Sequence, residues 1–594
     1  MVRLRGRDDR GVRDLPPRHG QRRVGARIGG VVSAVPRIRR GAREVRLSAQ
    51  DVPRPTQRDA HPTDEQHPVS IDRDDSASSR ADSPHEHRSV ATPQEGQEAV
   101  NDYVLAIDAG TTGVRSRAVF ADGRPSIAAY REFTQHFPQP GWVEHDAIEI
   151  WDAVVATFRD VVERAGLPAA IGITNQRETV VAWSARTSLP LARAIVWQDR
   201  RTAQRCDELA PHLDLIRRRT GLVLDPYFSG TKMAWLIQHG VPADDDLRLG
   251  TIDSWIVHRL TAGAVHATDS SNASRTMLFD IGELAWSDEL CDLIGVPRRA
   301  LPQVVSSSGR LGVTACTELP TGIPISGIAG DQQSALFGQA CFAPGMAKNT
   351  YGTGSFVLMN IGTTCPAPCE GLLTTVAWTL PDSAGRPITT YAFEGAIFVT
   401  GAAIQWLRDG LGIISRADEI GPLAESVPDS GGLFVVPAFT GLGSPWWDPY
   451  ARGTIVGITR GSNRAHLARA VVEAMALQTR DAIAAMQTAS GVGISELRVD
   501  GGASVMDLLL RIQADQLGIA VRRPVDQETT ALGAAFLAGL AEGVWPDLDA
   551  IADRWRTDVV VSPAPDRSAA DALHAEWLRA VDRSRNWAGS KQTA

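Results

Sequence analysis

The chain has 594 residues, of which 43% are hydrophobic, with a net charge of -8 and a pI near 5.9. It is long enough to bury two or more cores, and its acidic balance gives no basis for nucleic acid or an anionic membrane surface as main partner. No apolar run reaches the ~18 residues of a membrane span, and six scattered cysteines do not make a secreted disulfide framework. They fit a reducing cytoplasm, and the "CPAPC" pair, Cys365 and Cys369, reads as loop cysteines because no second pair or histidine cluster accompanies it.

Residues 1–50 hold fourteen arginines against four acids, and residues 51–100 hold five against eleven, with no lysine in either half. Neither half has the apolar periodicity needed to offset its ordering entropy, so residues 1–100 are expected to be a disordered Arg-rich extension without a part in the activity. The natural start is expected near Val100, immediately before "NDYVLAIDAG".

From Asn101 the pattern becomes structured. "YVLAIDAG", "VRSRAVF" and "SIAAYREF" read as a strand meander, with a Gly/Thr turn after the first strand and "ADGR" after the second. Taken alone, that Gly/Thr turn is either a plain hairpin or a phosphate-holding loop. Asp146 and Glu149 have capping-box spacing ahead of a helix whose apolar face is Ile150, Trp151, Val154, Val155, Phe158 and Val162. "AAIGIT" is a strand ending in "NQRET", and "ISGIAGDQQ" runs from a strand into a helix opened by Asp331.

The pattern then restarts. "AKNTYGTGSFVLMN" at 347–360 repeats the Gly/Thr turn between strands. A long helix from Asn463 to Met486 precedes "LRVDGG", which leads into the helix "ASVMDLLLRIQADQLG". Two α/β domains are therefore expected, at 101–337 and 338–555, with a C-terminal tail over 556–594 and the ligand in the cleft between the domains.

Glycine turns at strand ends suit a nucleotide triphosphate held by backbone N–H groups and threonine hydroxyls. There is no G-x-x-x-x-G-K-[ST], the first turn leads into a strand rather than a helix, and protein-kinase signatures are missing. Asp108, ending the first strand, is a candidate magnesium ligand, and Asp331 a candidate base for an attacking alcohol. Each has a plain alternative as a turn former or helix cap. Arg177 and Glu178 could serve a polyhydroxylated ligand together only if the strand end is irregular, since neighbours on a regular strand face opposite ways.

Taken together, "PGWVEHD", "IGITNQRET", "AIVWQDRRTA", "TGLVLDPYFSGTK", "SNASRTMLF", "IPISGIAGDQQ", "GMAKNTYGTGSF", "VVPAFTGLGSPWWDPYARG" and "TALGAAFLAGLA" resemble the FGGY carbohydrate kinase family over about 102–545. The resemblance implies a two-domain actin-like, ribonuclease-H-like ATPase fold with an interdomain cleft. It further implies that ATP and glycerol give ADP and sn-glycerol 3-phosphate with Mg2+, in a cytoplasmic homodimer or homotetramer. By motif, Thr111, Thr112, Gly113, Arg115 and Thr353 belong to the phosphate hairpins, and Gly401, Gln405, Gly502 and Met506 to the nucleotide site. Arg177, Glu178, Tyr227, Asp331 and Gln332 hold glycerol, Trp197 and Phe356 form its apolar wall, Asp331 is the base, and Asp108 with Asp331 serves the metal. Another polyol or ketose as substrate, and a non-catalytic actin-like scaffold, are the rival readings.

The sequence departs from the family pattern in places. Gly113 stands where a hydroxyl residue is common, and the choice of Arg115 over Arg117 stays open. Met506 and Asp507 stand where an asparagine pair is usual. "TACTELPT" at 314–321 lacks the basic loop that binds fructose 1,6-bisphosphate in some members, so little inhibition through that segment is expected.

Overall fold

The structure, a computed structural model, describes residues 102–589. The expected extension over 1–100 lies outside the described residues.

The first sheet begins as the expected meander, with β1 (Tyr103–Ala109), β2 (Gly113–Phe120) and β3 (Ile127–Glu132) each antiparallel to the next. Helix α1 (Ala147–Ala165) crosses over to β4 (Ala170–Asn175), which lies parallel to β1, and after a long insertion β5 (Ser308–Val313) and β6 (Pro324–Gly330) complete the sheet. Its order is β5-β6-β4-β1-β2-β3. All six residues of β4 are buried, as expected of a parallel strand covered on both faces. The N-terminus of α1 differs from the expected box. Asp146 caps Ile148 N, while Glu149 turns away to accept from Thr134 N at 2.9 Å and ties the helix to the loop after β3.

Helix α2 (Asp331–Gly338) follows β6 directly. The second sheet then repeats the plan with β7 (Ala347–Tyr351), β8 (Ser355–Gly362), β9 (Leu373–Pro381) and β10 (Pro387–Ile397), and α3 (Gly401–Gln405) comes next. Helix α4 (Arg464–Ser490), capped by Asn463 and His466, leads to β11 (Glu496–Asp500). Then come α5 (Asp507–Leu517), β12 (Ala520–Pro524) and α6 (Thr529–Ala541). A last strand, β13 (Thr557–Val561), gives the order β9-β10-β8-β7-β11-β12-β13. In both sheets the first hairpin strand lies between its antiparallel partner and a parallel strand delivered by a helix.

The segment expected as a tail is part of this second lobe. β13 pairs with β12, and helix α7 (Ser568–Ser584) buries Trp577, whose Nε1 donates to Asp481 at 2.8 Å, while His574 reaches the other oxygen of that carboxylate at 2.7 Å. Ala580 and Val581 are buried beside Trp577, so this 17-residue amphipathic helix docks along one apolar face.

Helices α2 and α6 join the two sheets. α6 follows β12 of the second sheet in sequence yet packs on β1, β4 and β6 of the first, whereas α2 follows the first sheet and reaches β7 and β8 of the second. They cross with backbone against backbone, because a Cβ on Gly338 would collide with Thr529 O and one on Gly533 with Ser334 O.

Candidate functional site

The loop after β4 resolves the geometric problem posed by Arg177 and Glu178. Glu178 adopts φ 61, a left-handed conformation that breaks strand alternation, so both side chains turn inward and are 2% and 1% exposed. Such backbone is strained for a non-glycine residue and persists where its surroundings hold it. Here the surroundings are ionic. Arg177 donates to Glu394 Oε2 at 2.5 Å and to Tyr227 Oη at 3.2 Å, and its Nε lies 3.1 Å from Asp331 Oδ1. Arg275 donates to Glu178 at 2.7 Å and to Glu394 at 2.9 Å. Two arginines and two glutamates, all buried, thus alternate in a closed network beside Asp331. Burial works to raise the Glu394 carboxyl, but the two guanidiniums outweigh it and hold the group at about 2. Burial raises Glu178 above the usual carboxylate range against the same two cations.

Gly330 gives Arg177 its path, since the Cγ and Cδ of that side chain pass 2.7 Å from where a Cβ would stand. Tyr227 is positioned by Lys232, whose buried ammonium donates to the carbonyls of Pro226, Tyr227 and Phe228 at 3.0, 2.5 and 3.1 Å. The ring of Trp197 meets Tyr227 edge-on at 5.7 Å, and Arg177 lies 5.7 Å over the ring of Phe356. Five expected acceptor-site residues, Arg177, Glu178, Tyr227, Trp197 and Phe356, are therefore brought together around Asp331, with Gln332 beside it.

Asp331 opens α2, accepts from Gln332 N at 2.7 Å, and leaves its side chain 31% exposed. Across from it stands Asp108 at the end of β1. Burial and then the Asp331 charge push the Asp108 carboxyl up to about 7, with Arg115 opposing, while burial raises Asp331 against the pull of Arg177. Two carboxyls that repel one another across a cleft are a donor set suited to a hard divalent cation that takes its remaining ligands from phosphate and water.

The first Gly/Thr turn is closed by Gly110 N donating to Gly113 O at 3.0 Å, and Trp197 Nε1 donates to Thr111 Oγ1 at 3.0 Å, linking this turn to the residues around Asp331. Thr112 is exposed, with Tyr130 Oη 3.2 Å from its hydroxyl. Gly113 has no room for a hydroxyl side chain, because a Cβ there would sit 2.6 Å from Arg131 O and 2.7 Å from the Tyr130 ring. Arg115 pairs with Asp108 in the register and makes an ion pair with Glu528, while Arg117 is held by Asp526 at 2.9 Å; the structure thus puts Arg115 against the carboxylates.

The second turn repeats the closure, Gly352 N to Gly354 O at 2.8 Å. Thr353 is exposed at its tip, and Thr353 O accepts from Thr400 N at 2.9 Å and Ala402 N at 3.0 Å. Gly401 lies so near that a Cβ would stand 2.6 Å from Gly352 O, and Gln405 is exposed at the end of α3. Gly502 opens a 3-10 turn, Gly502–Val505, so the expected helix from Ala503 starts at Asp507. Met506 ends the same turn, on the side of α5. Its side chain packs on the apolar core of the second lobe, as a thioether does where no polar partner is offered.

Three site residues carry no expectation from sequence: Arg275, Glu394 and Lys348. The detectable signal was a lone charge in an apolar strand, as in "YAFEGAIF" and "GMAKNTY", because a buried charge must find a partner.

Among known proteins, residues 103–338 match the N-terminal domain of the FGGY family of carbohydrate kinases, and residues 347–542 match its C-terminal domain. The chain is 52% identical to a glycerol kinase of Dechloromonas aromatica over 83% of its own length and 100% of that protein. It is 51% identical to glycerol kinase 2 of Thermotoga maritima over 82% of its length and 99% of that protein. Among solved structures, Plasmodium falciparum glycerol kinase with ADP superposes with a TM-score of 0.76 at 33% identity, covering 81% of this chain and 98% of that one. A gluconate kinase of Lactobacillus acidophilus, at 21% identity, 82% and 98% coverage and a TM-score of 0.74, shares the fold.

Proposed function

The chain belongs to the FGGY family of carbohydrate kinases, and from that membership we propose that it transfers the γ-phosphoryl group of ATP to glycerol, giving ADP and sn-glycerol 3-phosphate. The observation that carries the reading is the buried Arg177–Glu394–Arg275–Glu178 network opening onto Asp331 and Tyr227. A three-carbon triol offers little apolar area, so it is recognised by pairing its hydroxyls with groups that would otherwise stay unpaired. In this reading Arg177 donates to a hydroxyl oxygen, Glu178 accepts from a hydroxyl, and Trp197 and Phe356 wall the carbon chain.

Asp331 accepts the proton of the attacking hydroxyl. Because phosphoryl transfer passes through a loose transition state, that proton leaves late, and a carboxylate suffices as base. Thr111, Thr112 and Arg115 at one turn and Thr353 with Gly401 at the other receive the phosphates of ATP, with Gln405 and Gly502 toward the nucleoside. Mg2+ fits the Asp108 and Asp331 pair together with phosphate oxygens, and when bound it supplies charge neutralisation. Closure of the domains 101–337 and 338–555 on one another excludes water that would compete with glycerol. No helix among the described residues is long and apolar enough to cross a membrane. A cytoplasmic location and a homodimer or homotetramer belong to this reading on the family resemblance alone.

ADP release by the purified chain, measured with glycerol, dihydroxyacetone, xylulose, ribulose and gluconate, tests the proposal. Glycerol is expected to exceed each ketose in kcat/KM by at least ~100-fold, a floor below the ~10,000-fold by which unpaired buried polar groups can reject a wrong substrate. Preference for a ketose or gluconate would replace the substrate, and no turnover with any of them would leave a nucleotide-binding scaffold.

A further inference from the structure

Lys348 is a buried charge outside the arginine–glutamate network. It lies in β7 with 0% exposure, in a strand whose other members are apolar or neutral. Its ammonium donates to Gln332 Oε1 at 2.5 Å and to Thr350 Oγ1 at 2.8 Å. Taking an ammonium out of water carries a penalty of several kcal/mol, and an apolar residue of similar volume would avoid it. The two hydrogen bonds are with the neighbour of Asp331 on α2 and with a residue next to the second Gly/Thr turn.

Resting on the glycerol reading above, we propose that Lys348 is a positioning residue that fixes the Gln332 amide with its Nε2 free to donate to an acceptor hydroxyl. An amide can turn over and present either its oxygen or its nitrogen, but an ammonium has only donors, so it captures the oxygen. Nε2 then makes no hydrogen bond among the described residues. The strand also gives the assignment leverage. Lys348 belongs to the second sheet and Gln332 to the helix leaving the first, so the bond forms only when α2 and β7 are in register. Lys348 therefore acts on the acceptor half of the site from the lobe that carries the second phosphate turn.

The test is a double-mutant cycle of Lys348→Met and Gln332→Ala, read as the KM for glycerol, the KM for ATP and kcat. Lys348→Met is expected to raise the glycerol KM about tenfold, the scale of one charge-assisted hydrogen bond, with the ATP KM within about twofold of the parent. In the Gln332→Ala background the same change is expected to add nothing further, since coupled residues are non-additive. An unchanged glycerol KM, or an undiminished tenfold effect without Gln332, overturns the assignment. Should Lys348→Met not fold, Lys348→Gln keeps a donor and is expected to retain a glycerol KM within about threefold of the parent; a tenfold rise there counts against it. A parent protein that turns over no glycerol refutes the glycerol reading, which is a different outcome from an active parent indifferent to Lys348.

Discussion

Asp331→Asn is expected to lower kcat by about a thousandfold, within the range attributed to a positioned general base. The substitution keeps size and shape, and the new side chain can still accept from Gln332 N, as Asp331 does at 2.7 Å. What it cannot do is take a proton from the attacking hydroxyl. The proposed acceptor groups Arg177, Glu178 and Tyr227 are untouched, although Arg177 Nε loses the negative charge that stands 3.1 Å away. The glycerol KM should therefore move less than about tenfold while kcat collapses, the pattern of an interaction that matters in the transition state. A kcat within about tenfold of the parent would remove Asp331 from its proposed role.

The second large effect is on stability. Glu394 accepts from both buried arginines, and removing it leaves two buried cations with only Glu178 and the partly exposed Asp331 as anions, a loss that costs about 3–5 kcal/mol. Glu394→Ala is expected to destabilise the protein on that scale in denaturant unfolding. Against the effect of burial, the same two guanidiniums pull its pKa down from 4.5 to about 2. Its folded pKa lies below its unfolded value, so its stabilisation is complete above pH 4.5 and is lost as the pH falls toward 2. The gap between parent and variant should be widest above pH 4.5 and close on acidification. Glu178, whose raised pKa rests in part on the Glu394 charge, is relieved in the variant, so the comparison reads the coupled pair of carboxyls. A variant as stable as the parent at neutral pH would show that the network is not held by this charge.

Much of this was legible in the sequence because local signals coincided with the fold. The two Gly/Thr turns announced two hairpins, and the strand-to-helix step at "GIAGDQQ" announced that Asp331 heads a helix. Arg177 and Glu178 were marked by following a buried strand, but their joint use depended on a positive φ that no pattern encodes. Arg275 and Glu394 were invisible for a different reason. They meet Glu178 and Arg177 across 97 and 217 positions, and only the folded chain makes neighbours of them. The C-terminal segment was underrated because α7 is polar on its outer face, and one Trp577 inside a pocket carries little weight in a composition. Gly113, where the family commonly has a hydroxyl residue, leaves room in the structure for Tyr130.

The central claim is that Asp331 meets a glycerol hydroxyl in line with the terminal phosphorus of the nucleotide. A crystal structure with glycerol, Mg2+ and a non-hydrolysable ATP analogue measures this directly. The account predicts a carboxylate oxygen of Asp331 within about 3 Å of the terminal hydroxyl, with that hydroxyl facing the γ-phosphorus at about 3–3.5 Å on closure. A closed complex with Asp331 turned away, or with the triol seated elsewhere, would contradict it.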